Sequence, residues 1–545
     1  MKWIPTFVSL VLLFASIHGE ANEYRTDGRI VAIGVINNSY EQLHQLLLEL
    51  SLIDESGDWS GADAYLVSLG DLVGQGPDSR KVLDLLMRLQ SQAPDSGGRV
   101  LQVLGDHELM LLAGDLQYVS ESDHQFAEAF SPFGVYGAWL LSAVPVIKIN
   151  DSIFVHGGLS SELFDKSVDE INQTIRTQLE QVTKSRSPAG KELKKLTESE
   201  NSPAFSARGP IWYRGNSTCH PYSESFNTEK ILKRLGAMHI IVGHAEPVEN
   251  MISRINGQVI LAGSGAKESA AKVKASALVI NKNGLKMHYL GASQLEDIPQ
   301  QQSLHGIGSD IMTDEEIEEF LLTATITRVK PIGLGVTKSS KITLKKNGVQ
   351  LNALFKTYDS TPGLESRKGY GRHPEFEPDR YQHELAAYRI DRLLDLHLVP
   401  ASVERTIDGQ KGLVQLWLEN VTNETERVEK KLPFDSACAR FEQYRLRFIF
   451  DVLIYNTDRN TGNFVFTNDG NMMYLIDHSI AFGLEKKRPA QYKKVTLRVS
   501  GLMEGKLLSL TPEILHQALS NYLHPRQIDA IIDRRDLILK QATRP

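Results

Sequence analysis

The sequence predicts an α/β layered domain followed by a second unit in which strands precede helices, and three observations carry that expectation. From Arg29 to about Leu290, short β-branched apolar runs alternate with amphipathic stretches. From Ser293 to Asp310 the composition shifts to Gln, Ser, Gly, Pro and Asp, as expected of a linker. Beyond Thr313 the periodic pattern restarts, with strands to about Tyr358 and helices from about Arg380. A chain of 545 residues is long enough for two domains, each with its own core. The expected boundaries are a leader over 1–21, a first domain over 26–292, a linker over 293–312 and a second domain over 313–545.

At the N-terminus Lys2 precedes an apolar run containing Phe7, Val8, Leu10, Val11, Leu12, Leu13 and Phe14, and small or polar residues follow to Ala21. This is the pattern of a cleaved secretory signal, too short for a membrane span, which needs ~20 apolar residues. The chain is therefore expected to be exported to a periplasm, a secretory lumen or the medium, with no transmembrane span after cleavage. With 60 Lys and Arg against 67 Asp and Glu, a net charge of −7, there is no basic excess for a nucleic-acid partner. The two cysteines, Cys219 and Cys438, exclude a disulfide-stapled scaffold and a thiolate zinc cluster. They are expected to be separate core thiols, with pairing across domains as the alternative.

In the first domain the candidate strands are Ile30–Ile33, Tyr65–Leu69, Val100–Leu104, Ile153–Val155 and Ile240–Val242. Ser39 and Gln42 have capping-box spacing ahead of Leu43, Leu46, Leu47 and Leu50, and a second helix is expected after Asp78. The charged stretch 176–208 is expected to be a solvated insertion. In the second unit Thr313 and Glu316 repeat the capping-box spacing. A helix is expected over 380–394 and a strongly apolar one after Ala437, containing Phe441, Phe448, Ile449, Val452 and Leu453. Phe464–Thr467 and Met472–Ile476 flank Asn468-Asp469-Gly470 and predict a hairpin.

Polar groups follow successive predicted strands of the first domain: Gly70-Asp71, Gly105-Asp106-His107-Glu108, His156-Gly157-Gly158 and Gly243-His244. Strand carboxyl ends converge on the ligand crevice of an α/β sheet, so these groups meet although they are far apart in sequence. Asp71, Asp106, His156 and His244 make a plausible ligand set for one Mn, Fe or Zn ion. Any single Gly-Asp or Gly-His pair is more simply a turn; four in strand-end order are not.

These segments, with Gly209-Pro210-Ile211-Trp212-Tyr213-Arg214-Gly215, resemble the calcineurin-like metallophosphoesterases, specifically the bacterial-type PPP serine/threonine phosphatases. The resemblance implies a metallophosphoesterase sandwich in which two metals about 3.5–4 Å apart clamp a phosphate and activate water. It implies that Asp71 bridges the metals, His107 protonates the leaving group and Arg214 holds phosphate. The departures fall on the chemistry. The family's Gly-Asp-x-His-Gly is Gly34-Val35-Ile36-Asn37-Asn38 here, its Asp-Arg-Gly is Gly74-Gln75-Gly76, and Asp106 stands where the family has Asn. Ala262 and Ser264 fall where it tends to carry Asp-Thr-Gly. Val35 cannot ligate and Asn37 replaces an imidazole badly, so a degenerate, one-ion pseudophosphatase domain is expected.

The second unit carries a set suited to phosphoryl transfer. Lys356 ends an apolar strand preceded by Gly333-Leu334-Gly335-Val336-Thr337-Lys338, a turn whose N–H groups, with Lys338, can cover ATP phosphates while Lys356 contacts their oxygens. Glu384, on the next helix, is placed to orient Lys356. Asp458 and Asn463 stand five positions apart in Asn456-Thr457-Asp458-Arg459-Asn460-Thr461-Gly462-Asn463, the spacing by which kinases put a catalytic carboxylate and a metal-binding amide on one loop. Asp477 follows the next strand as a second metal carboxylate.

This order, with Ile476-Asp477-His478-Ser479-Ile480-Ala481-Phe482-Gly483, resembles atypical kinases of the Golgi casein kinase type. Phosphatidylinositol 4-kinases share the Asn-Thr-Asp-Arg wording. The resemblance implies a two-lobed α+β kinase domain using ATP with Mg or Mn and acting on a protein, glycan or lipid-headgroup hydroxyl. The expected function is an exported ATP-dependent kinase. The alternatives are a bifunctional enzyme with residual metal-dependent phosphatase activity and a non-catalytic scaffold.

Overall fold

The computed structural model describes residues 22–34, 39–74, 78–113, 127–131, 133–184, 204–244, 251–263, 275–301, 312–332, 339–357, 359–360, 379–434, 436–468 and 471–545. The fold class is the expected one, an α/β sandwich of two six-stranded sheets joined to a two-lobed α+β unit.

In the sandwich, one six-stranded sheet runs Glu296–Asp297, Gly284–Tyr289, Ser276–Asn281, Ile30–Ile33, Tyr65–Ser68, Arg99–Gln102. The other runs Glu23–Tyr24, Val146–Ile149, Ser152–Val155, His239–Val242, Val259–Leu261, Ile252–Arg254. The motif-bearing strands pair in parallel within each sheet. They are apolar on both faces because both faces are covered. Ile30, Ala32 and Val67 pack with Phe154, Ile241 and Ile260 between the sheets. The alternate residues Val31, Ile33 and Leu66 pack with the helices carrying Leu43, Leu46 and Val82.

Three expectations need correction here. Residues 176–184 are not a loose insertion but the end of a helix, Val168–Lys184, because Ile171, Ile175 and Leu179 recur every four residues and are buried beneath its charges. Glu296–Asp297, expected in the linker, forms an edge strand paired with Lys286 and Met287. Cys219 and Cys438 are not separate thiols: they form a disulfide between the two units.

The second unit opens with helix Asp314–Thr323, whose Thr313 and Glu316 make a reciprocal capping box. A five-stranded antiparallel sheet follows in the order Thr325–Ile332, Ser339–Lys346, Val349–Lys356, Gln410–Leu416, Ser402–Ile407, and helix Tyr381–Leu393 packs on it. The other lobe holds helices Arg440–Leu453, Gly501–Ser509, Pro512–Leu519 and Pro525–Gln541. With it goes a small sheet in which Phe464–Thr467 pairs with Met473–Leu475 as the expected hairpin; residues 469–470 of its turn lie outside the described residues. Phe441, counted within the apolar helix, is 67% exposed and points away from the core.

The units meet along helix Pro221–Leu235. Beyond the disulfide, His220 Nε2 lies 2.5 Å from the Leu396 carbonyl, and the Ser225 and Ser500 hydroxyls are 2.7 Å apart. Glu229 accepts the N–H groups of Gly501 and Leu502 at 2.8 and 3.3 Å, so a side chain of the first unit caps the first turn of a helix in the second.

Candidate functional sites

In the first unit, Asp71, Asp106, His156 and His244 each lie just beyond the carboxyl end of a strand, and each offers a ligand atom within 4.8 Å of the others. His156 Nε2 is 3.4 Å from Asp71 Oδ1 and 3.3 Å from Asp106 Oδ1. His244 Nδ1 is 3.8 Å from Asp71 and 3.7 Å from Asp106. Asp71 adopts a left-handed backbone at φ 57°, a conformation rarely kept without cause. Gly70 beside it has φ 92°, and a Cβ there would stand 2.7 Å from both Gly105 Cα and His156 Nδ1, so only glycine lets the loops close.

Buried neighbours set the donors. His156 Nδ1–H donates to the Leu69 carbonyl at 2.7 Å, which leaves its Nε2 lone pair facing the carboxylates. Asp106 Oδ1, also buried, lies 3.3 Å from that nitrogen, so the two groups face a common point that a proton or a cation can fill. Burial opposes a proton on His156, yet Asp71 and Asp106 raise its pKa to about 9, a measure of how strongly this pocket favours positive charge. A set of two nitrogens and two carboxylates fits Zn, Mn or Fe.

His107 Nδ1–H donates to the Val73 carbonyl at 3.1 Å. Burial disfavours its charged form, and Asp71, Asp106 and Glu108 more than offset this, so its pKa lies above the usual value. Arg214 Nη2 donates to Asp106 Oδ2 at 2.7 Å and places a guanidinium beside the cluster. Sequence reasoning named Glu108 within its motif but gave it no role; its carboxylate accepts the N–H groups of Asp71, Val73 and Gly105 at 2.8, 3.0 and 3.0 Å and braces both loops. Its capping position after Gly105 was the available signal. It also passed over Arg254, fully buried, which donates to the carbonyls of Asn216 and Cys219 and so supports the segment following Arg214. Val35, Asn37, Gln75 and Ser264 lie outside the described residues. The expectation of an inactive domain finds no support in this geometry, since the four-group cluster is intact.

In the second unit, Lys356 ends its strand with Nζ 3.4 Å from Glu384 Oε1 and 3.1 Å from Asp477 Oδ1. Burial opposes ionisation of Glu384, but Lys356 and His478 outweigh it and hold its carboxyl well below the usual range. The His478 backbone N–H donates to Glu384 Oε2 at 2.9 Å, tying the helix to the residue after Asp477. Asp477 itself is left-handed, at φ 58°. On the loop, Asn463 Nδ2 donates to the Asp458 carbonyl at 3.0 Å, which turns the amide oxygen of Asn463 away from that contact. Asn463 and Asp477 supply oxygen donors, the chemistry Mg and Mn take. The structure thus groups Lys356 with Glu384 and Asp477, and Asp458 with Asn463; Gly333, Gly335 and Lys338 lie outside the described residues.

Against known proteins, the calcineurin-like phosphoesterase family model matches residues 15–245. Shewanella-like protein phosphatase 1 of Plasmodium berghei (strain Anka) is 27% identical over 267 residues, which cover 46% of this chain and 71% of that protein. A crystal structure of a cold-active protein-tyrosine phosphatase from a psychrophilic Shewanella species is 28% identical, covering 50% of this chain and 82% of that one, with a TM-score of 0.43. The Golgi casein kinase with Mn/ADP bound is 18% identical, covering 43% of this chain and 76% of that one, with a TM-score of 0.30. The first domain is thus similar to calcineurin-like phosphoesterases over residues 15–245.

Proposed function

We propose that the chain is an exported ATP-dependent kinase whose second domain transfers the γ-phosphate of ATP to a hydroxyl of a protein, glycan or lipid headgroup. The observation that carries this reading is the approach of Lys356 to both Glu384 and Asp477, in a unit that also holds Asn463 against Asp458. Lys356 holds phosphate oxygens, Glu384 orients it, and Asp458 is the general base that takes the acceptor proton. Asn463 and Asp477 hold Mg or Mn, which neutralises phosphate charge when bound. Export is supported by the apolar leader and by the Cys219–Cys438 disulfide, a bond that persists in oxidising compartments. Among the described residues, no helix is long and apolar enough to cross a membrane.

The test is incubation of the purified chain with γ-labelled ATP, Mg or Mn and the three acceptor classes, followed by identification of the labelled product. No transfer to any class, with no nucleotide binding, contradicts the reading.

A second reading is favoured by the convergence of Asp71, Asp106, His156 and His244: metal-dependent hydrolysis of a phosphate monoester in the first domain. There Arg214 anchors the phosphate and His107 protonates the leaving group. A single tightly held ion and slow turnover are expected, because Val35 and Asn37 remove two ligands of a second ion. Metal analysis together with hydrolysis of a generic aryl phosphate checks this; two ions per chain with rapid hydrolysis contradict it.

A further inference from the structure

Arg459 follows the candidate base directly, and its side chain is fully buried, as is that of Asp451 near the end of helix Arg440–Leu453. Arg459 Nε lies 3.2 Å from each oxygen of Asp451, and Nη2 donates to Oδ1 at 3.0 Å. Its Nη1 donates to two carbonyl oxygens, those of Asn463 and Ile476, at 2.6 Å each. Asp451 Oδ2 is held from the far side by the Tyr492 hydroxyl at 2.6 Å. The Ile476 N–H donates to the same Asn463 carbonyl at 3.1 Å. One planar fork, carried by the residue after Asp458, thus grips Asp451, Asn463 itself, and the residue before the left-handed Asp477.

An arginine that only glued loops together would be a poor choice here, because burying an ion pair costs desolvation that an apolar cluster of similar volume avoids. What the guanidinium adds is rigid geometry: its N–H donors point in fixed directions, so the carbonyls they grip are held in orientation as well as in distance. Mg demands near-ideal octahedral geometry at about 2.0–2.1 Å, so small shifts between two ligand-bearing segments weaken its binding steeply. Resting on the kinase reading above, we propose that Arg459, locked by Asp451 and Tyr492, is the positioning residue that sets the spacing of Asn463 and Asp477 for a divalent cation and aligns both with Asp458.

The experiment uses the full chain and follows, by the electron paramagnetic resonance signal of free Mn, the Mn binding that appears only when ADP is added, because the first-domain cluster can also take Mn. Alongside it are run ADP binding without metal, phosphate transfer as a function of Mn, and thermal unfolding. In Arg459→Lys, which keeps the charge and loses the fork, Mn affinity and the Mn concentration for half-maximal transfer each worsen by about 10- to 100-fold, the usual effect of removing a residue that orients metal ligands. Metal-free ADP affinity stays at the parent value. Tyr492→Phe shifts the Mn dependence in the same direction by a smaller factor and carries the test if Arg459→Lys does not fold. A merely structural role would lower the folded fraction and leave the Mn dependence of the remainder unchanged. Parent-like Mn affinity in the folded variants overturns the proposal while leaving the kinase reading intact. Failure of the unaltered chain to bind Mn with ADP overturns both.

Discussion

The two sites are assembled in opposite ways. In the first domain four metal-ligand groups come from four strand ends spread between Asp71 and His244, and half of them are imidazoles. In the second, Asp458, Asn463 and Asp477 sit within one loop and the hairpin that follows it, all offer oxygen, and a lysine from another strand lies 3.1 Å from Asp477. The first arrangement depends on the sandwich to bring distant residues together and suits a firmly held transition metal. The second is local, and a buried arginine, Arg459, donates to the carbonyls of Asn463 and Ile476 and so ties its two segments together. Donor chemistry and assembly go together: a cluster with nitrogen donors holds its ion itself, whereas an all-oxygen pair shares its ion with phosphate.

The sharpest way to break that comparison is to remove one residue from each site and see whether the effects stay separate. Asp477→Ala or Asp458→Ala is expected to lower phosphate transfer by about 10³-fold or more while far-UV circular dichroism and transition-metal content stay at parent values. Undiminished transfer by well-folded variants would sink the assignment. Conversely, His156→Ala should strip the transition metal, read by elemental analysis after gel filtration, and leave ATP-dependent transfer intact. Retention of the metal would show that it sits elsewhere.

A gain-of-function series sharpens the contrast further. Val35→Asp with Asn37→His restores ligands for a second ion, and Gly74→Asp with Gln75→Arg restores a phosphate contact; only the quadruple variant is expected to raise monoester hydrolysis substantially. A folded quadruple variant with neither a second ion nor faster hydrolysis would show that the loss extends beyond these positions.

Changes at the junction of the units should be smaller. Cys219→Ser with Cys438→Ser removes a crosslink spanning 219 residues and is expected to cost about 2–5 kcal/mol. Calorimetry should then show the two units unfolding in separate transitions. An unchanged single transition would mean that the noncovalent contacts suffice. The smallest effect is electrostatic. Burial opposes charge on His397, but Asp314 and Asp395, each 3.0 Å away, raise its pKa from 6.5 to about 9. The protonated form is favoured in the folded state, so its stabilisation is complete below pH 6.5 and is lost as pH rises through about 9. Urea unfolding at pH 6 and pH 10 should differ by on the order of 1–2 kcal/mol from this source, a difference absent in His397→Gln.

Local patterns told the sequence reader most of what the structure contains. Short β-branched apolar runs placed the strands that precede Asp71, Asp106, His156 and His244, capping-box spacing placed the start of the helix after Thr313, and turn chemistry placed the hairpin before Asp477. What escaped depends on three-dimensional proximity. The disulfide joins residues that no local pattern connects. Glu108 and Arg254 read as ordinary polar residues until their burial is known. The helix to Lys184 was hidden because its charged and polar residues outnumber Val168, Ile171, Ile175 and Leu179, the buried apolar residues that hold it down.

The bond between Cys219 and Cys438 also changes the topology of the molecule. It closes the chain between those two residues into a covalent ring. Lys356 and Glu384 lie inside the ring, while Asp458, Asn463 and Asp477 lie on the tail beyond it, so the candidate site of the second unit is built partly from the loop and partly from the tail. A protease that cuts anywhere within the ring leaves a single molecule, separable only after reduction. A mechanical pull on the two ends bypasses the whole ring and loads the segment that leads into Asp458.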